Sequence, residues 1–177
     1  ILCYVGFLAN DLLLNALYDV RPVESRPGAA NLIYERAHRA LVRCIDHAPQ
    51  PRAWQAYAAK EIFGGTFFGM MDILKRAARE FAAIRTNAPL PTVCLTGEIY
   101  VRHDPFANNF MIRELEARGI RVKFAHFGEW IEYADIVNKD ILKSSNTPLD
   151  ITISHLIRYV MNTIYKPIAN ILKWPER

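Results

Sequence analysis

Polar and ionisable side chains cluster in residues 96–109, which read TGEIYVRHDPFANN. Glu98 and Asp104 can accept hydrogen bonds, and the planar guanidinium of Arg102 suits a carboxylate or a phosphate. Gly97 lets the backbone turn or approach a ligand closely. We therefore treat this segment as the candidate ligand crevice.

The same residues have a structural interpretation that the sequence leaves open. Glu98, Arg102 and Asp104 could form a network of salt bridges that only fixes a long loop. A long and polar loop is nonetheless the best candidate for a site. The candidate crevice residues are Gly97, Glu98, Tyr100, Arg102, Asp104, Asn108, Asn109 and Glu129.

A second polar segment, Arg21-Pro-Val-Glu24, lies between two helical patterns. Its simplest interpretation is a turn that contains an ion pair between Arg21 and Glu24. Residues 22–28 contain two prolines and a glycine, so this segment also breaks the helical pattern. We keep both charged residues as a second group of site candidates.

The sequence lacks the motifs of several nucleotide-binding, metal-binding and catalytic sites. GxGxxG and GxxxxGK[ST] are absent, so neither a dinucleotide fingerprint nor a P-loop is predicted. The five histidines show no ligand spacing, and no GxSxG motif occurs, so we predict no metal site and no catalytic residue. Cys3, Cys44 and Cys94 form no CxxC pair and are predicted to be small buried hydrophobes in a reducing compartment.

The composition is typical of a folded cytoplasmic protein. Of the 177 residues 51% are hydrophobic, and the net charge of +4 comes from dispersed Lys and Arg, so we predict no nucleic-acid partner. Polar residues interrupt the apolar stretches 1–20 and 151–172, which predicts no membrane segment. Since the chain opens on Ile1 and stops soon after an apolar stretch, we expect it to be a fragment of a longer protein.

Apolar periodicity predicts a helical segment over residues 1–88. Three-and-four spacing indicates helices over residues 1–19 and 29–47. The helical pattern of residues 52–85 is interrupted by Gly64-Gly65, which predicts two helices or one kinked helix.

The pattern then changes from helical to β-rich. Residues 92–99 are typical of a strand buried on both faces, and residues 120–124 of a second strand. Asn108 or Asn109 could cap an intervening helix that ends at Gly119. Such a β-α-β unit demands a parallel pair with a right-handed crossover. Ligands bind at the carboxyl ends of parallel strands, which is where the crevice segment lies.

These elements predict an α/β fold. We expect a partial Rossmann-like parallel sheet, with its β-α-β unit around residues 92–124, and an extensive helical portion. The chain divides into a helical segment over 1–88 and an α/β segment over 89–177 that ends in a long helix. Glu129 follows the second strand, so it could lie at the same sheet edge.

A family resemblance rests on two stretches of the sequence. Residues 91–122, PTVCLTGEIYVRHDPFANNFMIRELEARGIRV, followed by EWIEY, resemble the C-terminal portion of large multidomain proteins described as activators of 2-hydroxyacyl-CoA dehydratases, including (R)-2-hydroxyglutaryl-CoA dehydratase. Residues 9–36, ANDLLLNALYDVRPVESRPGAANLIYER, are similar to the segment just upstream in those proteins. The resemblance covers about residues 8–133, and its most specific parts are Gly-Glu-Ile-Tyr-Val-Arg and Pro-Phe-Ala-Asn.

The resemblance implies an anaerobic, oxygen-sensitive system. There, an ATP-hydrolysing activase with a [4Fe-4S] cluster delivers a low-potential electron to a dehydratase component. The ATPase modules occupy a separate N-terminal part of those proteins, so this chain corresponds to their dehydratase-like part. ATP and the cluster are thus expected for the parent protein and not for this chain, with cluster-ligating cysteines expected beyond Arg177.

Two functional hypotheses follow from the resemblance. In the first, the chain is a dehydratase-like module that supports ATP-driven electron transfer or acyl-CoA dehydration by the complete protein, and the crevice residues help to shape the site. In the second, it is a non-catalytic docking module that positions the activase against its dehydratase partner. The expected partners are the ATPase modules of the parent chain, a dehydratase component and an acyl-CoA. A stand-alone enzyme is disfavoured because no catalytic constellation is present.

Overall fold

Helices make up most of the structure. The computed structural model describes residues 1–49, 51–125, 159, 161–168 and 170–171. Within these ranges the elements are α1 (Leu2–Val20), α2 (Ala29–Asp46), α3 (Trp54–Phe63), α4 (Met70–Ile84), β1 (Thr92–Leu95), α5 (Ile99–His103), α6 (Met111–Ala117) and β2 (Arg121–Phe124). Short 3-10 turns occur at Arg21–Val23 and Phe67–Gly69. The predicted mixed α/β fold is confirmed at this level.

Helix α1 lies between the other helices and the sheet. It packs against α2 and α4, and it also contacts β2. Gly6 faces α2, where a Cβ would lie 2.7 Å from Cδ1 of Ile45, so a larger residue would displace the end of that side chain. The buried apolar residues of α1 are Val5, Leu8, Ala9, Leu13, Ala16, Leu17 and Val20.

Helices α2 and α4 each bury one apolar stripe. On α4 the stripe repeats at alternating spacings of four and three residues, as one face of a helix requires. It consists of Met70, Leu74, Ala77, Phe81 and Ile84. Ile164 and Ile168, from the helical residues 161–168, join the same core. Helices α1 to α4 and this later segment therefore share one hydrophobic core.

The helical pattern of residues 52–85 forms two helices, which resolves the alternatives that the sequence left open. Helix α3 stops at Gly64, where a Cβ would lie 2.6 Å from the carbonyl oxygen of Lys60. Phe68 and Gly69 then adopt left-handed backbone conformations, with φ of 59° and 81°. The Glu61 carboxylate accepts a hydrogen bond from the Phe68 N–H at 3.0 Å, which stabilises the turn.

Strands β1 and β2 pair in parallel, with Thr92 opposite Arg121. The predicted β-α-β unit is confirmed in its pairing, although two short helices, α5 and α6, fill the connection. Gly119 ends α6 with a φ of 74°, and its N–H bonds the Glu116 carbonyl while the Ile120 N–H bonds that of Leu115. This is the Schellman arrangement, so the predicted role of Gly119 as a C-terminal cap is confirmed.

Strand β1 differs from its prediction in length and burial. It ends at Leu95 rather than Ile99, since Gly97 turns the chain with a φ of 136°. Three of its four residues are exposed, and Val93 retains 39% of its accessible surface. The expectation of burial on both faces was wrong, because among the described elements α1 packs against β2 and the main contact of β1 is with β2 itself.

The described helices include none that is long and apolar enough to cross a bilayer. The predicted helix from about 151 to 172 lies partly outside the described residues, and the region of Glu129 lies wholly outside them.

Candidate functional site

A cleft of about 370 Å³ opens between α1, α2 and the segment that leads into α6. It is lined by Leu14, Leu17, Tyr18, Arg21, Asn31, Tyr34, Glu35, Arg102, His103, Pro105, Asn108, Phe110, Ile112 and Arg113. Its volume lies in the range of small-molecule sites. The cleft brings together the crevice segment and the second polar segment, which are about 80 residues apart in sequence.

The predicted site residues divide into those that line the cleft and those that shape its surroundings. Arg21, Arg102 and Asn108 line it. The lining does not include Gly97, Glu98, Tyr100, Asp104, Asn109 or Glu24. Glu129 lies outside the described residues.

Glu98 acts as the N-terminal cap of α5. Its carboxylate accepts a hydrogen bond from the Val101 N–H at 2.8 Å. Hydrogen bonds from backbone N–H groups, first that of Val101, lower the pKa of the Glu98 carboxyl below its ordinary value, and the charge of Arg102 lowers it further. Because a capping carboxylate is already bonded to the backbone, Glu98 supports the segment instead of facing a ligand.

Asp104 and Asn109 likewise shape the backbone. The Asp104 carboxylate accepts hydrogen bonds from the N–H groups of Phe106 and Ala107, at 2.8 and 2.9 Å. Asn109 and Phe110 have positive φ angles of 53° and 55°, a conformation that asparagine tolerates better than phenylalanine. This pair of left-handed residues turns the chain into α6 and directs it along the cleft.

Arg102 and Asn108 fasten the two ends of the segment together. An Nη1 proton of Arg102 is donated to the Gly97 carbonyl at 3.2 Å. The Asn108 amide donates to the carbonyls of Val101 and Arg102, and its oxygen accepts from the Met111 N–H at 3.3 Å. The N-cap residue of α6 is Phe110, so the prediction that Asn108 or Asn109 caps this helix was wrong, although the Asn108 side chain still accepts a bond from the first residue of the helix.

The crevice segment is stabilised by bonds to its own backbone. Neither Glu98 nor Asp104 forms an ion pair with another described residue. The proposed salt-bridge network is thus replaced by caps and turns, which are short-range interactions that Glu, Asp and Asn side chains make readily.

Arg21 pairs with a residue that sequence reasoning missed. Its Nε and Nη2 donate to the two carboxylate oxygens of Glu116 on α6, at 2.8 and 2.9 Å. The side chains are only 9% and 8% exposed, so this bidentate pair is buried. Nη1 donates to Asn31 at 3.1 Å, and the guanidinium lies 5.2 Å from the centroid of the Tyr18 ring.

Glu24 has a different role from the one expected of it. Its carboxylate oxygens accept hydrogen bonds from the N–H groups of Gly28 and Ala30, at 2.6 and 2.7 Å. These donors are unsatisfied groups at the start of α2, where a negative charge is also favoured by the helix dipole. The expected ion pair between Arg21 and Glu24 was therefore wrong.

A second ionic contact joins the helical segment to the sheet. Asp19 lies 3.3 Å from Nε of Arg85, at the end of α4, and 3.3 Å from Nε of Arg121, at the start of β2. Backbone bonds between Ser25 and Ile84 and between Thr86 and Val23 join the end of α4 to the turn that follows α1. Asp19 therefore connects the end of α1 both to the end of α4 and to β2.

Tyr18 and Tyr34 form an aromatic wall of the cleft. The Tyr34 hydroxyl donates to Oδ1 of Asn10 at 3.3 Å, and Nδ1 of His38 lies 2.9 Å from the same oxygen. Since that oxygen only accepts, His38 carries a proton on Nδ1 in this arrangement. Burial raises the pKa of Tyr34 to about 12, so its phenol stays neutral around neutral pH.

The cleft has an excess of positive charge. Arg21 is neutralised by Glu116, and Glu35 lies 3.8 Å from Arg39. Arg113 is a further cation of the lining and forms no ion pair with another described residue. The described lining therefore favours a ligand that is negatively charged.

The cysteines differ from their prediction as buried hydrophobes. Cys3 and Cys94 are exposed, and Cys44 is partly buried, where burial raises the pKa of its thiol. In the part of the chain that the structure describes, no three His, Cys, Asp or Glu side chains come together as a metal site. The described residues thus do not fit an iron-sulfur cluster.

Comparison with family models, with curated proteins and with solved structures finds no match to this chain.

Proposed function

We propose that the chain is a dehydratase-like α/β module of a protein related to the activators of 2-hydroxyacyl-CoA dehydratases. It would support ATP-driven low-potential electron transfer or acyl-CoA dehydration by the complete protein. ATP, and any iron-sulfur cluster, would be bound by other parts of that protein or by its partners. The proposal depends on the sequence resemblance described above.

One structural observation supports this proposal more than any other. The two stretches on which the resemblance rests meet through the buried Arg21–Glu116 pair and border the same cleft. Sequence stretches that mark a family are expected to converge where they build a common site. Had they lain on opposite sides of the molecule, the resemblance would have lost its functional meaning.

The Rossmann-like part of the fold prediction belongs to the same proposal. A parallel strand pair connected through helices is the unit from which doubly wound sheets are built. Exposure of β1 gives this strand an open face on which further structure of the parent protein could pack. We propose that β1 and β2 belong to such a larger sheet.

Binding of a CoA thioester tests the proposal directly. We expect 2-hydroxyglutaryl-CoA to bind the chain in anaerobic isothermal titration calorimetry and free CoA to bind more weakly, because part of the contact would involve the acyl group. An Arg21→Met variant should weaken binding by disturbing the junction, whereas Arg39→Met, on the exposed surface of α2, should not. Absence of thioester binding by the chain and by its parent protein would refute the proposal.

The docking hypothesis is favoured by a separate observation. Large apolar side chains are exposed along the crevice segment and the start of α6, and Phe106 retains 85% of its accessible surface. They are Tyr100, Val101, Phe106, Phe110 and Met111. Clustered exposed apolar residues of this kind mark protein interaction sites.

Co-elution with a dehydratase component tests the docking hypothesis. Phe106→Ser should abolish co-elution if this apolar surface is the contact. Phe63→Ser is the matched control, since Phe63 is 66% exposed but lies on α3, remote in sequence from the segment. Co-elution that both variants preserve would exclude the surface as the contact, and co-elution without thioester binding would favour docking over the dehydratase-like function.

A further inference from the structure

The cleft combines two kinds of surface that small-molecule sites need. One part is apolar and aromatic, with the rings of Tyr18 and Tyr34 beside Leu14, Leu17 and Ile112. The other part is cationic, with Arg102 and Arg113. Pockets that bind small molecules are mostly apolar, with a few polar groups that fix the orientation of the ligand.

Arg113 differs from Arg21 in what it offers a ligand. The guanidinium of Arg21 is buried against the Glu116 carboxylate and forms part of the wall. Arg113 is exposed and forms no ion pair with a described residue. It lies on α6 one turn before Glu116, so the buried pair fixes the helix from which Arg113 projects.

We propose that this cleft binds a small organic oxyanion, whose carboxylate or phosphate group is held by Arg113 and whose planar or apolar body packs against Tyr18 and Tyr34. A guanidinium fork donates two parallel hydrogen bonds to either oxyanion. The phenol of Tyr34 contributes no opposing charge, since its proton is retained around neutral pH. This inference concerns the cleft alone and goes beyond the proposed function.

Glu35 is the one carboxylate in the described lining, and it faces the same space. Its nearest ionic partner is Nη1 of Arg39, at 3.8 Å, and both side chains are exposed. We therefore expect the negative charge of Glu35 to repel an anionic group, so that a ligand places its charged group toward α6 and not toward α2.

The test uses the full chain and three simple probes of similar size. Benzoate and phenyl phosphate carry the two oxyanions, and benzyl alcohol is the neutral counterpart. We expect both anions to bind in titration calorimetry and benzyl alcohol to bind at least about tenfold more weakly, as loss of a charged hydrogen bond predicts. Preference for benzoate or for phenyl phosphate identifies which oxyanion the site takes.

A matched pair of variants locates the binding site. Arg113→Gln should weaken benzoate binding about tenfold. Arg118→Gln removes the same charge from the end of the same helix, but Arg118 bonds Glu114 and does not line the cleft, so binding should be unchanged. Circular dichroism of each variant confirms that α6 is retained.

Several outcomes would overturn the inference. These are absence of binding by both anions, equal affinity for benzyl alcohol, or equal weakening by the two variants, which would indicate nonspecific charge attraction. If benzoate binds through Arg113 and the CoA thioester does not bind, this inference stands and the proposed function falls. If the thioester binds equally well to the Arg113→Gln variant, and benzoate does not bind, the reverse holds.

Discussion

The helical segment and the β-α-β unit are stabilised by different interactions. The helices share a core of fully buried side chains that include Leu13, Met70, Leu74 and Phe81. In the β-α-β unit the buried cluster is limited to Ile112 and Val122 among the described residues. The unit is held instead by caps, by turns and by ionic contacts to α1 and its 3-10 extension.

The helical core and the β-α-β unit therefore differ in what their side chains do. A core of packed helices resists change, because removal of buried methylenes leaves cavities. A segment fixed by polar bonds leaves apolar and charged side chains exposed, as Phe106 and Arg113 are. The β-α-β unit is therefore fixed by its own caps and turns and by ionic contacts to α1, and it supplies one wall of the cleft.

The largest expected effect is in the helical core. Phe81→Ala should lower the free energy of unfolding by about 3 to 5 kcal/mol, because Phe81 is fully buried and its removal leaves a cavity. Urea denaturation followed by circular dichroism measures the change. Phe63→Ala is the control, with an expected change within about 0.5 kcal/mol because Phe63 is exposed. Similar losses in both would contradict the assignment of the core.

The buried ion pair that joins the two regions comes next. Glu116→Ala should destabilise the chain by about 3 kcal/mol, since it leaves the Arg21 guanidinium buried without its counter-charge. Glu114→Ala on the same helix removes an exposed pair with Arg118 and should change stability by about 0.5 kcal/mol or less.

A double variant tests whether the instability of the single variants comes from an unpaired buried charge. Arg21→Met combined with Glu116→Leu should recover much of the lost stability, because two apolar side chains need no counter-charge. If the double variant is as unstable as the sum of its single changes, the pair does not couple the two regions in the way described.

A smaller effect is expected inside the crevice segment. Asp104→Ala should destabilise it by about 1 kcal/mol, since the bonds from the Phe106 and Ala107 N–H groups are lost. Faster hydrogen exchange at these two amides measures the change. Asp104→Asn keeps an acceptor and should exchange more slowly than the alanine variant, and equal rates would argue against the turn.

The smallest effect concerns pH. Backbone hydrogen bonds lower the folded-state pKa of Glu98 below its ordinary value of 4.5, so its cap is complete above that pH and is lost as the pH falls through the folded-state pKa. The Val101 amide resonance should titrate with a midpoint below 4.5. Glu98→Gln should remove this transition, and a midpoint at or above the ordinary value would disprove the cap.

Local sequence signals predicted most elements and missed most partners. Helix α2 was expected over residues 29–47 and spans Ala29–Asp46, and the cap at Gly119 was found from its position alone. Such features depend on neighbours within about four residues, which the sequence displays directly. The burial of β1 was misjudged because an apolar run does not reveal whether helices cover the faces of the strand.

The site was predicted as two separate groups of candidates. The candidates Arg102, Asn108 and Arg21 lie in the lining of the cleft, whereas Tyr18, Tyr34, Arg113 and Glu116 were not among the candidates. Tyrosine and arginine on an amphipathic helix give no signal of their own, since either is common on half-exposed faces. The polar character of the segment was the only signal available, and it identified scaffolding residues as readily as lining ones.

The sequence by itself determined the main helices, the Gly119 cap and the polar crevice segment, because each depends on interactions between residues close together in the chain. Tertiary structure alone decided that Arg21 bonds Glu116, 95 residues away, and that the two polar segments border one cleft. The sequence contains several acidic residues that could pair with the Arg21 guanidinium. Only the packing of α1 against the β-α-β unit brings one of them within reach.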